Sequence, residues 1–131
     1  VTVKVVALEN DLFFSVKIRD TLRHHEIDAQ IARTLTAFEQ RLEQDKPALA
    51  IVDIAIQRVD WEAAIRAARA QNVPVLAFGS HMDLEARAKA LQAGALKVIA
   101  NSKFAKDMPD LVQRMMKAPE TVVSEGEEEG H

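Results

Sequence analysis

KPALAIVDIAIQRVDW, residues 46–61, holds a proline, a run of five apolar residues, an aspartate and the opening of a helical pattern. ALAIV, residues 48–52, is short, wholly apolar and bounded, which is the pattern of a strand buried on both faces. It ends on Asp53. Trp61, Ala64, Ile65 and Ala68 then fall on one side of a helix expected from about Asp60 to Gln71. A strand with no polar face, followed directly by a helix, is the unit from which parallel sheets are built.

The same alternation extends in both directions. Upstream, TVKVVAL (residues 2–8) is a β-branched run that suits a buried strand, and polar Glu9, Asn10 and Asp11 follow it. Leu12, Phe13, Val16, Ile18 and Leu22 are expected to share one broad face of a first helix, with Asp11 as its cap. Ile27, Ala29 and Ile31 alternate with polar residues in a weaker strand. Thr36 and Glu39 have capping-box spacing, which predicts a helix from near Thr36 to about Asp45, closed by Pro47. Downstream, VPVLAF (residues 73–78) is a fourth strand, and Asp83 is placed to cap a helix packing through Leu84, Ala88 and Leu91 until Gly94 ends it. Residues 97–100 make the fifth strand, and Phe104, Met108, Leu111, Val112 and Met115 repeat at helical spacing in a last amphipathic helix.

Five strand–helix pairs in succession imply right-handed crossovers and a parallel sheet with helices on both faces. Ligands on such open sheets bind beyond the carboxyl ends of the strands, where the strand order reverses. Glu9 and Asn10 follow the first strand and Asp53 the third. With order 2-1-3-4-5 those strands are neighbours, and the three side chains are expected to meet in one crevice.

Composition narrows the class. The chain has 131 residues, 48% of them hydrophobic and 28% charged, which suits one globular domain with a real core. It has no cysteine, so neither disulfides nor thiolate metal sites are available. The formal net charge is -3, and Glu125, Glu127, Glu128 and Glu129 crowd into the end of the chain, so no broad basic field points to nucleic acid. No apolar run reaches the roughly 20 residues of a membrane span. The expectation is a cytoplasmic domain over residues 1–118 with a disordered acidic tail over 119–131, whose terminal Glu-Gly-His looks like the remnant of a tag.

KPALAIVDIAIQRVDW resembles the third-strand signature of response regulator receiver domains, the phosphoacceptor modules of two-component signal transduction. VPVLAFGSHMDLEARAKALQAGALKVIA (residues 73–100) is similar to the same family's fourth strand, fourth helix and fifth strand, including the turn at Ala93-Gly94-Ala95. The resemblance spans residues 2–117 and implies a flavodoxin-like, doubly wound (βα)5 three-layer sandwich with a parallel five-stranded sheet of order 2-1-3-4-5. It also implies Asp53 as the phosphoacceptor, and Mg²⁺ held by Glu9, Asn10 and Asp53. Glu9 and Asn10 stand where the family has two acidic residues, and a magnesium site with one or two carboxylates is weakened rather than abolished.

Other positions depart from the family. A Thr or Ser that bonds the phosphate after the fourth strand is replaced by Gly79, with Ser80 next. A Lys after the fifth strand is replaced by Asn101, with Ser102 and Lys103 next. Gly79, Ser80, Asn101 and Lys103 are therefore the phosphate-contact candidates. Val98 stands where the family has an aromatic residue that rotates. The resemblance thus implies an atypical or pseudo-receiver: a non-enzymatic signalling module whose partners are a histidine kinase, a downstream effector, or a second copy meeting it through the fourth helix, fifth strand and fifth helix. One alternative is a working phosphoacceptor with Ser80 and Lys103 or Asn101 as stand-in ligands. The other is a flavodoxin-like small-molecule binder or enzyme.

The remaining features are weaker. His24, His25, His81 and His131 show no metal-ligand spacing. No glycine-rich phosphate loop and no nucleophile triad motif is present. Met108 and Met115 are expected to pack on the sheet, and Met116 lies off their stripe.

Overall fold

The computed structural model describes residues 3–80 and 83–117. The expected acidic tail and His81 lie outside these residues. Ten elements alternate: β1 (Val3–Leu8), α1 (Leu12–Arg23), β2 (Ile27–Ala32), α2 (Leu35–Asp45), β3 (Leu49–Asp53), α3 (Trp61–Ala70), β4 (Val75–Gly79), α4 (Leu84–Ala93), β5 (Lys97–Ala100) and α5 (Asn101–Lys117). The five strands form one parallel sheet in the order β2-β1-β3-β4-β5. This is the flavodoxin-like doubly wound arrangement.

Strand alternation divides the core into two layers. Val5, Ala7, Leu49, Ile51, Leu76, Phe78 and Ile99 point to one face, where Ile18 and Leu22 of α1 and Phe104, Met108, Leu111, Val112 and Met115 of α5 cover them. Val6, Leu8, Ala50, Val52, Val75, Ala77 and Val98 point to the other, beneath Phe38 and Leu42 of α2, Ala64, Ile65 and Ala68 of α3, and Ala90 of α4. Met116 packs partly against the first layer.

Three local expectations are corrected. In α1 only Ile18 and Leu22 of the expected face are buried, while Phe13 is 87% exposed and Leu12 and Val16 also face solvent. At about 100° per residue those three sit roughly 120–160° from Ile18 around the helix, so one face cannot hold all five. Phe14 and Ser15 fill the inner side instead. In α4, Leu84 is 80% exposed and Leu91 is also exposed, because the helix approaches the sheet on Ala86, Ala90 and Ala93. Small side chains let α4 lie close there, and Arg87 donates to the carbonyl of Val98 at 2.7 Å. Helix α2 begins slightly earlier than expected. Thr34 is the cap, its hydroxyl accepting from the Ala37 amide at 3.1 Å.

The other caps agree with their residue types: Asp11, Asp60 and Asp83 accept from the amides of Phe14, Ala63 and Ala86. Gly94 ends α4 at φ +120°, and a Cβ there would lie 2.6 Å from Arg69 Cγ. Gly94→Ala is expected to cost about 1–2 kcal/mol in denaturant unfolding, from the positive φ and from displacement of Arg69. A variant as stable as the parent would mean that the turn relaxes freely.

Candidate functional site

Parallel pairing sets Leu8 beside Val52 and Asp53 beside Phe78, so the residues that follow these strands meet at the carboxyl edge of the sheet. Strand parity then sorts them. Glu9, Asp53, Ser80 and Asn101 continue the alternation of residues that face α1 and α5, and all four line an open cleft of about 370 Å³. Asp11, Phe13, Phe14 and Lys17 complete its wall from α1.

Asn10 has the opposite parity. Its side-chain amide donates to the carbonyl of Gln57 at 3.0 Å, and it lines a second cleft rather than the first. The expected crevice of Glu9, Asn10 and Asp53 is thus divided, with Glu9 and Asp53 on one side. Gly79 also has the outer parity, and a Cβ on it would stand 3.0 Å from Ile54 Cγ1. Lys103 is on the outer surface of α5, where it pairs with Asp107 at 3.1 Å, and is not in the cleft wall.

Glu9 is the unusual group of the cleft. It is 1% exposed, and its Oε2 accepts from the amides of Asn10 at 3.0 Å and Asp11 at 3.3 Å. Those two bonds favour the ionised form. Burial, and the hydrogen bond and charge of Asp53 beside it, act the other way and win, raising its pKa from an ordinary 4.5 to about 8. Burial and the neighbouring Asp53 thus favour the protonated form of Glu9. Asp53 is further held by a hydrogen bond from the Ala55 amide to its Oδ1 at 2.8 Å.

Behind the cleft, Phe78 and Phe104 stack at 4.4 Å, with Phe14 tilted against them at 5.3 and 6.0 Å. This aromatic layer joins α1, β4 and α5 beneath the acidic pair. Phe14 and Lys17 line the cleft without having been expected from the sequence, and Lys17 brings its charge. Its signal was its place three and four residues after Phe14 and Phe13, legible only once the buried side of α1 is known. No group of three or more His, Asp or Glu side chains converges among the described residues. No helix among them is long and apolar enough to cross a membrane.

No family model and no curated protein matches the sequence. Solved structures do match in fold. The CheY-like response regulator receiver domain protein of Methanospirillum hungatei is 16% identical, with 92% of this chain and 98% of that one covered and a TM-score of 0.82. The receiver domain of NtrX from Brucella abortus is 18% identical over 87% of this chain and 98% of that one, TM-score 0.77. The response regulator domain of Thermotoga maritima CheB is 14% identical over 90% and 98%, TM-score 0.75. The fold of this chain is the receiver fold.

Proposed function

We propose that this chain is a receiver-type signalling module of the two-component kind that works through protein–protein contacts, with phosphorylation of Asp53 weakened or lost. The observation that carries this reading is the cleft itself: Glu9 and Asp53 line it together, but Asn10 turns away to Gln57 and Lys103 pairs with Asp107 outside it. Magnesium usually binds through one or two carboxylates and several waters, so Glu9 and Asp53 suit it as donors. Protonation of Glu9 competes with the ion, so binding there is expected to strengthen as pH rises. When bound, the ion supplies charge neutralisation for a phosphoryl group attacked by an Asp53 oxygen.

The output side is altered in the same direction. A hydroxyl side chain at position 79 would have to push Ile54 aside, and Val98 is buried with no ring to turn. Leu84 and Leu91 meanwhile leave apolar surface exposed on α4. That surface suits a protein partner, whether a kinase, an effector or a second copy meeting α4, β5 and α5.

One observation favours the working phosphoacceptor as a second reading. Lys17, Ser80 and Asn101 surround Asp53 with a cation, a hydroxyl and an amide, which together offer donors to phosphoryl oxygens. Thermal melts with Mg²⁺ and then beryllofluoride, on the parent and on Asp53→Asn, separate the two. Absence of a shift supports the docking module. A shift in the parent that Asp53→Asn abolishes supports the phosphoacceptor and overturns the first reading.

A further inference from the structure

The second cleft lies beside the acidic one, across the Asn10–Gln57 bond. It is an open surface cleft of about 470 Å³ lined by Asn10, Arg33, Thr34, Gln57, Arg58 and Val59. Its charge is the reverse of its neighbour's, with two guanidinium groups and no carboxylate in the wall, in a chain of net charge -3.

The chain has nine arginines, all within the described residues. Arg19, Arg23, Arg41, Arg66 and Arg114 reach carboxylates, and Arg69 and Arg87 reach carbonyls. Among the described residues Arg33 and Arg58 have no such partner, and these two line the same cleft. Two exposed guanidinium groups in one cleft wall with no carboxylate beside them leave their donors open to an incoming anion.

Arg58 also differs from the other arginines in its backbone. Among the described residues, four non-glycine residues have positive φ: Glu26, Lys46, Arg58 and Asn72. Glu26, Lys46 and Asn72 follow the ends of α1, α2 and α3, where a left-handed residue is the ordinary way to stop a helix. Arg58, at φ 63°, ends no helix. It sits in the turn at Gln57–Arg58 instead, and that left-handed residue sets its position on the rim of the cleft. Thr34 adds a hydroxyl whose oxygen accepts from Ala37, leaving its hydrogen available to donate.

We propose that this cleft binds a small phosphorylated ligand, no larger than a nucleotide, whose phosphate is held by Arg33 and Arg58 with Thr34 as a further donor. Guanidinium groups match phosphate oxygens in pairs, and a cleft of this size takes a small anion. The site is separate from Asp53, and the inference does not rest on the phosphoacceptor reading.

Inorganic pyrophosphate is the probe, added without Mg²⁺ and at constant ionic strength to ¹⁵N-labelled protein. Saturable amide shifts are expected at Thr34, Gln57, Arg58 and Val59. Arg33→Ala and Arg58→Gly should each weaken binding about tenfold or more, and Asp53→Asn should leave it unchanged. Glycine suits the positive φ at position 58, so Arg58→Gly is expected to fold and to melt no lower than the parent. Linear shifts that chloride reproduces would overturn the proposal. So would saturable shifts centred on Lys17, Ser80 and Asn101 that survive both arginine substitutions.

Discussion

Glu9→Gln is expected to stabilise the protein at neutral pH, by on the order of 3 kcal/mol, and to flatten its dependence on pH. In the unfolded chain Glu9 ionises near 4.5, whereas in the fold it does so near 8. Below the lower value both states hold the proton and the contribution to stability is complete. Between the two values the folded state holds a proton that the unfolded state has released, so each rise in pH favours unfolding, by up to about 1.4 kcal/mol per unit. Above about pH 8 both states are ionised and the contribution is gone. Glutamine keeps the shape and the neutral charge. Its carbonyl can accept from the backbone amides of Asn10 and Asp11 as Glu9 does, and its amide can donate to Asp53. Urea unfolding of both proteins across this range measures the difference. A variant whose stability falls as steeply as the parent's would show that the titrating group lies elsewhere.

Phe104→Ala is expected to cost about 3–5 kcal/mol, the usual loss when a fully buried aromatic side chain leaves a cavity. Phe104 is inaccessible to solvent and stacks on Phe78 at 4.4 Å, so the rigid faces of the two remaining rings have little means of closing the gap. The residue also lies one turn along α5 from Asn101, and its loss should loosen the wall of the acidic cleft. Leu84→Ala is the matched control. Leu84 is of similar apolar character but is exposed, and its substitution should stay within about 0.5 kcal/mol of the parent. A Phe104→Ala loss no larger than that of Leu84→Ala would contradict the packing of α5 on the sheet.

The architecture was legible in the sequence because its signals are local and strong. Buried parallel strands are short apolar runs, and four of the five strands here are such runs. Helix caps and stops are written in single residues, among them Asp60, Asp83 and Gly94. In α5 the buried residues repeat at one spacing with no competing stripe, so its inner face followed from the sequence alone. Alternation of strands and helices implied a parallel sheet, and the resemblance to receiver domains supplied the order 2-1-3-4-5. Glu9 and Asp53 came with it, because both directly follow or end strands that this order makes neighbours.

The rest needed the tertiary structure. In α1 and α4 the sequence carries two apolar stripes, and local periodicity does not say which one meets the sheet. Packing chose Phe14, Ile18 and Leu22 in the first and three alanines in the second, which exposed Phe13 and Leu84 and placed Lys17 in the acidic cleft. Asn10 was assigned to the same crevice as Glu9 by adjacency, but successive residues leave a strand on opposite sides, and it bonds Gln57 instead. Arg33 and Arg58 are 25 positions apart by their numbers and meet only because the loops after β2 and β3 flank the loop after β1. Sequence alone determined the order of the elements and the two carboxylates at the sheet edge, since both depend on near neighbours and on strand order. Which helix faces are buried, and which charges gather in which cleft, depends on distant residues competing for the same space, and that only the folded chain decided.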